Sequence, residues 1–192
     1  MSVAAQLLDL VERRAPVSRC WLRVIGDAGD VAVLEAAFAE ASRRVGAVSL
    51  ALDDAEVTAL ARAGVHWSLA AWCVDDAVRV AAPLVAAQRA PAEVEGFIVR
   101  RRQHGDARQR AALMRALPLL PDARQWVAIA IDARRGDVRA VLEADLPLAR
   151  IVGLGPRVTE QLAAVAARVV ATRRAAGRRP PLELWRLSWS TA

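Results

Sequence analysis

Ser68-Leu-Ala-Ala-Trp-Cys-Val-Asp-Asp-Ala-Val-Arg-Val-Ala-Ala-Pro-Leu-Val-Ala-Ala-Gln88 is apolar on nearly every side. Its only charges are Asp75, Asp76 and Arg79. A helix at a protein surface carries one apolar stripe, whereas a helix apolar all round is buried. The stretch therefore predicts a central helix, with Pro83 as the place where it splits or kinks. Charges on such a helix need partners, because an ionised side chain held alone away from water is costly. Asp75 and Arg79 stand at i,i+4 and share a face. Two readings follow: a polar patch on the floor of a pocket, or a structural ion pair tying this helix to a neighbour's arginine.

Working outward, helical spacing dominates. Val3, Leu7, Leu8 and Val11 recur on one face, and Pro16 follows that segment. Ser18 to Ile25 is a short apolar piece closed by Gly26-Asp27-Ala28-Gly29. Asp30 reads as an N-cap, with Val33, Leu34, Ala37, Phe38 and Ala41 forming the buried face of a helix that ends near Gly46. Ala47 to Leu52 looks like a strand, but with no second strong strand nearby it reads as an extended connector. Asp53 and Glu56 make a capping box, and Gly64 stands at the C′ position of that helix. Pro91 fits the first position of a helix running to about Gln103.

Asp106 caps the next helix, which ends at Leu117-Pro118. Pro121-Asp122 opens another, with Trp126, Ile129 and Ala130 on one face. Val138 to Ala144, Arg157 to Ala176 and Leu182 to Leu187 complete the series, and Gly177 ends the longest of them. The fold expected is all-α: one domain over 1–192, about nine or ten helices joined by short turns, with helix-pair packing of the HEAT/armadillo kind.

The composition narrows the chemistry. The chain has 192 residues and a net charge of +6. All 27 basic residues are arginine, and Lys, Asn and Tyr are absent. Without lysine there is no Schiff-base nucleophile and no P-loop lysine. Without tyrosine there is no phenolic acid or base. GC-rich coding accounts for arginine in place of lysine. The arginines fall in short pairs near helix ends, where the dipole favours them, not on one reading element, so no nucleic-acid partner is expected. Non-specific affinity for phosphates, or peripheral contact with anionic lipid, stays open.

Mean hydropathy is +0.23, yet no uncharged run approaches the ~20 residues a spanning helix needs. Asp9 and Glu12 interrupt the first apolar segment, so no signal peptide is read there. Cys20 and Cys73 are too few for a disulfide framework or a zinc site. A cytoplasmic protein with no metal and no cofactor is expected.

Few other residues carry chemistry. His104 lies in Gln103-His104-Gly105-Asp106, read as a loop; it is a general-base candidate or a solvated residue. His66 reads as a capping or packing residue. Asp132 sits with Arg134 and Arg135 at a helix end and joins Asp75, Asp76 and His104 as a catalytic candidate. Six Trp stand against two Phe. Trp67, Trp72 and Trp126 build either core or, with Arg79, an aromatic-lined ligand pocket.

The run Ala176-Gly177-Arg178-Arg179-Pro180-Pro181-Leu182-Glu183-Leu184-Trp185-Arg186 resembles the end of EboA-domain proteins. Ile151 to Arg157 is similar to the segment that precedes their last long helix. Cys20-Trp21-Leu22, Phe38 to Gly46, Asp76-x-x-Arg79-Val80 and Leu117 to Pro121 follow in the family's order. The chain departs from the family between Ala144 and Ile151, where an Asn-Pro-Tyr-Pro element and a Trp-Asn-Gln-Met-rich helix are replaced by Asp145 to Arg150. The resemblance implies a role in clusters that hold a UbiA-like prenyltransferase, in secondary metabolism and precursor movement. Its partners would be a small apolar metabolite and proteins of the same cluster. Three functions fit: a non-catalytic metabolite binder, a cyclase or isomerase using carboxylates, and a protein-binding scaffold.

Overall fold

The structure is a computed structural model that describes residues 1–65, 69, 72–126, 129, 167, 170, 171, 174, 175 and 177. Among these residues seven α-helices follow one another: α1 (Val3–Arg14), α2 (Arg19–Asp27), α3 (Val31–Val45), α4 (Asp54–Arg62), α5 (Val74–Arg89), α6 (Val94–His104) and α7 (Ala107–Ala116). Short 3-10 turns at Pro16–Ser18, Pro91–Glu93, Leu117–Leu119 and Ala123–Trp126 join or end them. The all-α expectation holds for this part.

Helix α5 is the axis of the core. Every residue from Val74 to Ala86 is buried, and α1, α3 and α7 pack round it. Small residues such as Ala77, Ala81 and Ala82 leave room for neighbours on all sides. Pro83 cannot donate to the Arg79 carbonyl, yet the helix continues to Arg89. Enclosure on every side holds it together across that missing bond.

The helix begins later than its apolar pattern suggests. The sequence places its start at Ser68, but the structure starts it at Val74. Cys73 forms an isolated antiparallel bridge with Ser49. The Leu50 N–H donates to the Trp72 carbonyl and the Val74 N–H to the Val48 carbonyl, both at 2.9 Å. The connector thus occupies backbone groups that a longer helix would need. Trp72 therefore precedes α5 and does not lie within it. Trp67 lies outside the described residues.

Two other expectations change. Arg19–Asp27 is helical, burying Leu22 and Ile25, where the sequence shows only a short apolar piece. Val33 is exposed on α3, while Leu34, Ala37, Phe38 and Ala41 are buried as expected. Phe38 meets Phe97 of α6 edge-on, with centroids 5.8 Å apart.

The capping signals hold. Asp30 accepts from the Ala32 N–H, and Asp53–Glu56 and Asp106–Gln109 form reciprocal boxes. Gly46 and Gly64 take φ +77° and +107° just past their helices, a region open to glycine. Residues 167, 170, 171, 174 and 175 are helical, and Gly177 turns at φ +66° where the sequence ends its longest helix. The helices read at 138–144 and 182–187 lie outside the described residues.

Candidate functional site

Asp75, Asp76 and Arg79 of α5 are all buried, and each has a partner. Asp75 and Asp76 are consecutive, so helical geometry aims them about 100° apart. Asp75 is reached from both α3 and α7, and Asp76 from α7 and the residue before α5. Asp75 Oδ2 accepts from Arg79 Nη1 at 2.7 Å and from the Ser42 hydroxyl at 2.6 Å. Arg79 spends its other donors on the same group: Nη2 reaches Ser42 Oγ at 2.7 Å and Nε the Phe38 carbonyl at 3.2 Å. Asp75 Oδ1 accepts from Arg108 Nη2 of α7 at 3.3 Å.

Asp76 serves a different end. Its Oδ2 accepts the Cys73 N–H at 2.9 Å, capping the first turn of α5, and pairs with Arg115 Nη1 at 3.1 Å. The Arg115 guanidinium also lies 5.5 Å from the centre of the Trp72 ring, a cation–π contact. The network joins α3, α5, α7 and the segment before α5. Two carboxylates meet three guanidiniums, of which Arg79 is enclosed, Arg115 mostly so, and Arg108 half exposed.

Chemically this arrangement orients helices. A general base must reach substrate with a free lone pair, and a general acid with a proton to give. Here Asp75 is fully enclosed and bonded at both oxygens. Cys73 and the two aspartates bring three metal-type ligand atoms within 4.8 Å of one another. Arg79, Arg108 and Arg115 already supply positive charge at that spot, which competes with a cation.

Among the described residues, His104 and Trp126 do not join this network. His104 is the last residue of α6, not part of a loop, and is exposed. Trp126 is buried; its Nε1 donates to the Pro121 carbonyl at 3.3 Å. Asp132 lies outside the described residues, as does His66. Ser42, Arg108 and Arg115 escaped the sequence reading. Arg108 and Arg115 are seven apart on α7, a spacing that sets both on one face.

A second cluster pins the connector. Arg14 donates from Nε to the Leu50 carbonyl, from Nη2 to the Ala51 carbonyl at 3.0 Å, and from both terminal nitrogens to Glu56. Ala51 sits at φ +44°, unfavourable for a residue with a Cβ, and these donors hold it there. The hydrogen-bonded Arg14 guanidinium holds the Glu56 carboxyl below its ordinary pKa; burial opposes this, and the Asp53 N–H together with the charges of Arg14 and Arg13 reinforces it.

Residues 21–146 match the family model described as metabolite traffic protein EboA. The chain belongs to the EboA family. The matched region takes in Trp21-Leu22, the Phe38 to Gly46 segment, Asp76 to Val80 and Leu117 to Pro121. The family is thus carried by α2 to α7 and the residues up to 146, while Ile151 to Arg157 and the Ala176 to Arg186 motif fall beyond the match. Every residue of the Asp75–Asp76 network lies inside the EboA region. No curated protein and no solved structure matches the chain. Among the described residues no helix is long and apolar enough to cross a membrane.

Proposed function

We propose that this EboA-family protein is a non-catalytic helical protein of bacterial secondary metabolism that binds, or helps to move, a small apolar or prenylated metabolite. The observation that carries the reading is the match of residues 21–146 to a metabolite-traffic family. The chemistry of the buried cluster supports it. Asp75 and Asp76, the carboxylates best placed for acid–base work, spend their oxygens on arginines, a serine and a backbone N–H. Trp72, Trp126 and Arg79 are the described members of the ligand set read from the sequence, and Trp67, its fourth member, lies outside the described residues. A single domain of paired helices over the whole chain suits such a role.

Native mass spectrometry of the protein purified from its producing cells tests this. A co-purifying small molecule, or saturable binding of one member of a panel of the pathway's metabolites, is the expected result. Finding no bound molecule and no saturable binding across that panel would overturn it. Conversion of a panel member to product would replace binding by catalysis.

A further inference from the structure

Helix α2 has a second apolar side, exposed at Val17, Cys20 and Val24. Leu22 and Ile25 face the core. Val17, in the turn leading into α2, and Cys20, Trp21 and Val24 recur at i, i+3, i+4 and i+7, which places them together on a side about 120° round the helix from Leu22 and Ile25. Val17 is 94% exposed and Val24 55%. Cys20 is exposed and Trp21 half-buried. One exposed valine is ordinary, but four apolar residues in register on a helix form a patch.

The border of that patch is basic. Arg19 and Arg23 run along one flank of α2 and are exposed. On the other flank the Ser18 hydroxyl donates to the Arg44 carbonyl at 2.8 Å, bringing the end of α3 against the start of α2. The Arg44 guanidinium lies 5.9 Å from the centre of the Trp21 ring. The acids nearby sit lower than the arginines they pair with. Arg43 is 77% exposed above Glu40 at 32%, and Arg19 likewise covers Glu12. Asp27, at i+7 from Cys20, is exposed and puts one acid of α2 at the C-terminal end of this side, while Arg19, Arg23, Arg43 and Arg44 lie along it.

We propose that this face of α2 docks on an anionic lipid surface. Val17, Cys20 and Val24 enter the boundary between headgroups and acyl chains, and Trp21 sits at headgroup level, where an amphipathic ring is favoured. Arg19, Arg23, Arg43 and Arg44 pair with lipid phosphates, which a planar guanidinium fork matches well. The contact lies in the plane of the membrane. It is independent of the metabolite reading, since it uses none of the Asp75–Asp76 network.

The test uses the full chain with Cys73→Ser and a polarity-sensitive fluorophore on Cys20. Vesicles of phosphatidylglycerol in phosphatidylcholine should shift its emission, and pure phosphatidylcholine should not. Val17→Asp/Val24→Asp should weaken vesicle binding by about tenfold or more. Arg23→Glu and added salt should weaken it too. Both valines are exposed, so the double variant should keep the parent's helical circular dichroism and melting temperature. Four results would overturn the proposal. These are no vesicle binding, binding indifferent to the valine variant, a dimer that Val17→Asp dissociates, and slow labelling of Cys20 in the native chain without lipid. The third would assign the face to a second copy, and the fourth to the protein's own remaining residues.

Discussion

Helices α5 and α4 are formed by opposite means. Helix α5 is enclosed from Val74 to Ala86, whereas α4 buries only Leu60. Helix α5 contains a proline and two adjacent aspartates, poor material for an isolated helix. Helix α4 has a full capping box, acids in its first turn and Arg62 in its last, all locally favourable. The core helix exists because of its neighbours, and the surface helix because of its own sequence and one clamp from Arg14. Stability should therefore be lost globally when α5 loses a partner and locally when α4 does.

The largest effect is expected at Arg79. Arg79→Met leaves Asp75 enclosed without its main counter-charge, and should lower unfolding free energy by about 3–5 kcal/mol in urea titration. Arg115→Ala comes next. It removes a charged hydrogen bond to Asp76 and the stacking on Trp72, but Cys73 N–H still holds Asp76, so about 1.5–3 kcal/mol is expected by the same titration.

Glu56→Gln should cost about 1 kcal/mol and act on α4 and the connector that Arg14 clamps, not on α5. Hydrogen exchange would show it, as faster exchange of α4 amides with α5 amides unchanged. This effect also has a pH signature. The folded-state pKa of Glu56 is depressed, so its stabilisation is full above the unfolded carboxyl's pKa and is lost as pH falls through the lower folded value. The stability gap between the parent and Glu56→Gln should thus hold at neutral pH and shrink below about pH 4. The smallest effect belongs to the exposed pair of Arg43 with Glu40, where Arg43→Ala should change stability by about 0.5 kcal/mol or less.

What the sequence revealed follows the same division. Caps at Asp30, Asp53 and Asp106 and glycines at 46 and 64 are local signals, and all of them hold. The i,i+4 pairing of Asp75 with Arg79 is local too. The start of α5 was misplaced because the bridge to Ser49 comes from a residue 24 positions away. Ser42, Arg108 and Arg115 were missed for that reason: nothing local ties them to Asp75 or Asp76. Helix α2 was hard to see because its core face consists of Leu22 and Ile25 alone, while Val17, Trp21 and Val24 blur the stripe. The family was legible first in the C-terminal Ala176 to Arg186 motif, which lies beyond the matched region, while the upstream segments, weak one by one, fall inside it from Trp21 onward.

The central claim is that the buried charges of α5 hold helices together. A double-mutant cycle in urea on Asp75→Leu, Arg79→Met and the combined variant tests it most directly. Each single change should cost about 3–5 kcal/mol, and the double variant should recover most of that loss. Single variants as stable as the parent, or a double variant whose loss is the sum of the two, would contradict the account.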